Sequence, residues 1–114
     1  GTITTGTGTY TTQVGRYTKI GNRVYFSASV IWSAHTGTGS MRLGGLPFTV
    51  LNITNHFEAL TVAASELTFT PQLSALALGG STQVRLINFA SGSALTSITM
   101  ESAATIFVSG HYEV

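Results

Sequence analysis

A chain of 114 residues and 11.9 kDa makes one domain, residues 1–114, able to bury about 65% of its unfolded surface around a single modest core. Five basic and four acidic residues, none of them Asp, with a net charge of +1 exclude the high-charge signature of disorder and the clustered Lys/Arg footprint of a nucleic-acid binder. No Cys is present, which excludes disulfide and thiolate–zinc staples, and no apolar run nears the roughly 18 residues of a spanning helix, so membrane insertion is not expected.

The composition also has a positive reading. Thirty-one Ser or Thr and thirteen Gly give a polar, uncharged exterior, and β-branched Thr packs well on a pleated surface. Charge keeps monomers soluble and apart, so a surface this poor in charge is safer inside an assembly.

In chain order, GTITTGTGTYTT is Thr broken by Gly and reads as an edge or lead-in strand, with residues 1–8 serving equally well as a linker from a longer polypeptide. The chain opens on Gly rather than Met, as a processed or excised fragment would. Gly21-Asn22 is a two-residue hairpin signal, which sets Ile20 opposite Arg23, Thr18 opposite Tyr25 and Tyr17 opposite Phe26. The strand that follows alternates Val24, Phe26, Ala28, Val30 and Trp32 on one face with Tyr25, Ser27, Ser29, Ile31 and Ser33 on the other. The first set is the predicted core face, joined by Tyr17 from across the hairpin. The second set, with Ile20, is an apolar patch of a kind that soluble monomers rarely leave without a use, and Ile20, Tyr25 and Ile31 are therefore the candidate interface between copies of the chain.

Residues 35–40 (HTGTGS) are predicted as a flexible turn and Met41–Leu43 as a short strand. Leu46 and Phe48, flanking Pro47, are expected to plug one end of the fold. Phe57–Leu67 carries both a helical stripe and a strand alternation; strand is favoured because Thr61 and Val62 are β-branched and the neighbouring segments are strands. Leu67–Thr70 before Pro71, Gln83–Phe89, Leu95–Met100 and Ile106–Val114 complete the predicted set. Eight or so strands between Gly, Pro and Ser turns, without an internal repeat, indicate an all-β antiparallel sandwich or jelly roll.

Signals for chemistry are weak. Glu58, Glu66, Glu101 and Glu113 share no motif of paired carboxylates, no Asp orients a histidine, and no G-x-S-x-G elbow occurs. The glycine turns Gly6-Thr7-Gly8 and Gly37-Thr38-Gly39 lack the Lys and helix start of a phosphate loop. His35, His56 and His111 lack paired ligand spacing, although one copy from each of three chains meeting on an axis is a conceivable metal site. Neither catalysis nor a cofactor or metal is expected. Trp32, Tyr10, Tyr25 and His56 are the aromatic groups available to a sugar platform, with Trp32 better explained as core and Tyr25 serving equally as interface. His35 and Tyr10 remain as candidate glycan contacts, the former in the loop Ser33–Ser40.

The stretch GRYTKIGNRVYFSASVIW followed by GTGSMRLGGLPF resembles a domain found at the C-terminal ends of bacteriophage tail fibres and tailspikes. The family's G-x-Y-T-K-I-G-N hairpin lies at Gly15–Asn22, its G-x-G turn at Gly37–Gly39 and its G-L-P-F at Gly45–Phe48. LGGSTQVRLINFASGSALT and IFVSGHYEV look like the remaining strands, so the resemblance spans nearly the whole chain. It implies a β-sandwich that assembles as a homotrimer at the virion's distal tip, capping and registering the trimer, with host surface glycan as a partner of some members. The catalytic residues of tailspikes lie in a preceding β-helix that nothing here matches, so no functional residue carries over by position.

Overall fold

A computed structural model describes residues 2–55, 57–69 and 71–114. Its eight strands are β1 (Gly8–Ile20), β2 (Arg23–His35), β3 (Arg42–Leu43), β4 (Glu58–Ser65), β5 (Gln72–Ala77), β6 (Val84–Phe89), β7 (Thr96–Ser97) and β8 (Ala104–Glu113). Among the described residues there is no helix, and every strand pair is antiparallel. The order along the sheet is β1-β2-β8-β4-β5-β6-β3, with β7 added on β6.

The sheet curls at β4. Residues Thr61–Ser65 pair with β8, whereas Glu58–Leu60 pair with β5, so one eight-residue strand serves both halves. One core lies between those halves: Val24, Phe26, Trp32, Ile106, Val108 and Tyr112 face Ala75, Ala77, Val84 and Leu86 within a single apolar cluster.

The hairpin forms as its sequence predicts. Gly21 takes φ 60°, the first-corner conformation of a primed hairpin turn, and Ile20, Thr18 and Tyr17 stand opposite Arg23, Tyr25 and Phe26. Farther along, the register of β1 against β2 shifts on either side of Tyr10, skipping Ser33 on one strand and Thr11 on the other. Because side chains alternate with period two, this irregularity turns Tyr10 from the side of Thr12 to the side of Trp32.

The core face of β2 is as expected at Val24, Phe26 and Trp32, which are buried, while Val30 is half-buried against them. Tyr17 departs from expectation. It is 55% exposed, touching Phe48 edge-on at 5.6 Å, because β1 is an edge strand with a paired neighbour on one side only. Leu46 and Phe48 do pack against the core.

Phe57–Leu67 contains a strand, with Leu60 buried and Val62 and Ala64 half-buried on one side. Glu66, at φ 62°, breaks it; Leu67–Phe69 are not strand, and Thr70 lies outside the described residues. The turn predicted at 35–40 is tied down instead. The Thr2 and Ile3 amides donate to the Ser40 and Thr38 carbonyls, Thr38 donates back to Thr4, and Ser40 bridges Thr99. Residues 2–7 are thus pinned along that segment. Leu95–Met100 contains only the short β7, followed by Ile98 in the core.

Candidate functional site

Two surfaces carry the candidate residues. The first is the outer face of β1, β2, β8 and β4, which the register fills row by row. Ile20 and Arg23 lead to Glu113; Thr18 and Tyr25 lead to His111; Arg16 and Ser27 lead to Ser109 and Thr61; Val14 and Ser29 lead to Phe107 and Ala63; Thr12 and Ile31 lead to Thr105 and Ser65. Ile20, Tyr25 and Ile31 do share this face. Ile20 is 65% exposed and Tyr25 46%, while Ile31 is half-buried among its strand neighbours.

Two further apolar groups on this face escaped the sequence reading. Val14 is 55% exposed and Phe107 47%, and both line one shallow trough with Arg16, Ser29, Thr61 and Ala63. The signal was present in β8, where Phe107 is out of phase with Ile106 and Val108. Nothing local identified β8 as the strand beside β2.

One end of the face is polar and internally paired. Arg23 Nη1 donates to Glu58 Oε1 at 3.0 Å and lies 3.3 Å from His111 Nδ1, and the His111 ring is tilted over Tyr25 at 5.5 Å. Asn22 Nδ2 donates to Glu113 Oε1 at 2.9 Å. Among the described residues the rest of the face bears a single charge, Arg16.

The second surface is a polar groove on the core side of the same hairpin, at its open end. It is lined by Thr2, Thr5, Gly8, Tyr10, His35, Arg42 and Gln83. Here the two candidate glycan contacts come together: a Cβ on Gly8 would meet the Tyr10 ring at 2.9 Å and the His35 ring at 3.0 Å. A Cβ on Gly37 would strike His35 at 2.5 Å, so both glycine turns are spaces that the two rings need. His35 Nδ1 accepts from the Gly37 amide at 2.8 Å, which leaves Nε2 as the protonated nitrogen of the neutral ring.

The other aromatic candidates do not join them. Trp32 is buried and donates from Nε1 to the Glu101 carbonyl at 3.1 Å, Tyr25 is on the opposite side of the sheet, and His56 lies outside the described residues. Among the described residues, no three His, Cys, Asp or Glu side chains gather as metal ligands. Of the four Glu, Glu58 is held by Arg23, Glu113 by Asn22, and Glu101 accepts from the Thr68 amide at 3.2 Å.

One buried phenol belongs to neither surface. The Tyr112 hydroxyl donates to the Phe48 carbonyl at 3.0 Å and accepts from the Phe48 amide at 3.3 Å. Burial pushes its pKa above the ordinary 10.0, partly opposed by the bond to the Phe48 backbone.

No family model matches the chain, and no curated protein or solved structure matches it either.

Proposed function

We propose that this chain is a non-catalytic, trimer-forming end domain of a bacteriophage tail fibre or tailspike. In this reading the curled sheet is a jelly-roll-like sandwich protomer, seated at the distal tip of the virion, and the outer face of β1, β2, β8 and β4 packs against the other two copies. The observation that carries it is the row of exposed Val14, Ile20, Tyr25 and Phe107 on one sheet face of a chain with only nine ionised side chains. Apolar patches of this kind mark interaction surfaces. A threefold ring closes on itself and matches the symmetry implied by the resemblance of Gly15–Asn22 and Gly45–Phe48 to fibre-tip domains.

Sedimentation equilibrium of the isolated chain tests the assembly. A species of three times 11.9 kDa is expected, and a single species of 11.9 kDa at micromolar concentration would refute the proposal.

A second reading, a carbohydrate-binding module for host-surface polysaccharide, is favoured by one observation. Tyr10 and His35 stand side by side beside Arg42 and Gln83 in the groove. The two roles use different surfaces and are compatible.

A further inference from the structure

The groove at Tyr10 and His35 has a charge that the fold does not use. Arg42 lies directly opposite Arg85 in the β3–β6 pair, so two of the chain's five basic residues face each other across neighbouring strands. Like charges at such positions are unfavourable unless an anion offsets them. Among the described residues no carboxylate lines the groove. Arg42 reaches, among the described residues, only Gln83 Oε1, at 3.4 Å, through Nη1, and Arg85 spends its Nε on Ser97 Oγ at 2.8 Å. The outer face gives one of its two arginines a carboxylate, Arg23 being held by Glu58 at 3.0 Å.

The remaining lining chooses among anions. Tyr10, 46% exposed, offers a ring face to the C–H side of a sugar. His35 Nε2–H and the Gln83 amide offer polar partners around it. At about 620 Å³ the groove falls within the roughly 300–1,000 Å³ of small-ligand sites. Inorganic phosphate would use the guanidinium and leave the ring and amide idle.

We infer that this groove binds a carboxylate-bearing saccharide: Arg42 takes the carboxylate through its planar fork, Tyr10 stacks on the sugar, and Gln83 and His35 bond its hydroxyls. This rests on the carbohydrate-binding reading and adds the ligand class and its selector. A planar guanidinium matches a carboxylate with two parallel bonds, and bonds to charged groups are the stronger kind.

The test is amide chemical-shift titration of the whole chain with a panel of uronic-acid saccharides, their carboxyl-reduced neutral counterparts and inorganic phosphate, each at millimolar concentration. At least one acidic member should move the amides of Gly8, Tyr10, Gly37 and Arg42, and its neutral counterpart should bind about tenfold or more weakly. Arg42→Gln should remove that preference while keeping the spectrum of the folded chain, and Tyr10→Ala should weaken acidic and neutral members alike. Equal binding of acidic and neutral members would overturn the acidic inference and leave the carbohydrate reading standing. Silence across the panel would overturn both. Phosphate alone reproducing the shifts, or shifts confined to the outer face around Val14 and Phe107, would overturn the site.

Discussion

The two faces of β2 differ by one residue step and by everything that covers them. Val24, Phe26 and Trp32 point inward and are sealed by the protein's own second half, whereas Tyr25 points out with nearly half its surface bare. The inner face holds rings in specific contacts, such as Phe26 edge-on to Tyr112 at 5.7 Å. On the outer face the specific contacts among the described residues gather at the end that holds Arg23, Glu58, His111 and Tyr25 and the Asn22–Glu113 pair, and the apolar centre around Val14 and Phe107 is left open. One strand thus divides its residues: Val24, Phe26 and Trp32 hold the protomer together, and the face that carries Tyr25 is left uncovered by it.

The sharpest way to break that division is from the inside. Phe26→Ala removes a buried ring and should cost roughly 3–5 kcal/mol. That is a large share of the roughly 5–15 kcal/mol that holds a domain of this size, so thermal melting should fall steeply at every protein concentration. Wild-type-like melting would mean that the inward phase is misassigned.

The outer face should answer differently. Phe107→Ser should leave the melting of the dissociated chain within about 0.5 kcal/mol of wild type, as surface changes do. It should weaken association by roughly 1.5–3 kcal/mol for each copy, seen as a shift of the mass distribution with concentration. Melting and mass falling together would show that the two faces are not separable.

A smaller change refines the inner face. Tyr112→Phe keeps the ring and leaves the Phe48 amide and carbonyl without their partner, costing about 1–3 kcal/mol. The same hydroxyl gives a sign with pH. Its folded pKa lies above the ordinary 10.0, so above that pH the unfolded chain releases a proton that the folded chain retains. Its contribution is therefore complete below pH 10.0 and is lost as pH rises toward the folded value. Urea unfolding of wild type should weaken more between neutral pH and pH values above 10.0 than that of Tyr112→Phe. Parallel losses in both would remove Tyr112 as the cause.

What sequence could read here was local. The two-residue turn and the alternation after it gave the hairpin's register residue by residue, from Ile20 opposite Arg23 to Tyr17 opposite Phe26. Alternation also assigned Trp32 to the core and Ile20, Tyr25 and Ile31 to the opposite side. Tyr17 was misjudged because facing a buried residue does not bury its partner when that partner is on an edge strand. β5 was missed because Ser74, Ala75 and Ala77 carry little strand propensity, although Ala75 and Ala77 are fully buried between β4 and β6. The groove was legible only in part. Tyr10 and His35 were named, but their meeting depends on the irregularity at Thr11 and Ser33, and that of Arg42 with Arg85 on a pairing distant in sequence.

The central claim, that one strand divides protomer from assembly, is tested most directly by Ile31→Glu. In a threefold contact this variant would place three uncompensated carboxylates on the outer face, with Val24, Phe26 and Trp32 untouched on the other. Native mass and thermal melting measured on the same sample should give a folded chain of 11.9 kDa where the wild type runs at three times that mass. A trimer with unchanged melting would contradict the account, because the outer face of β2 would then be open to solvent.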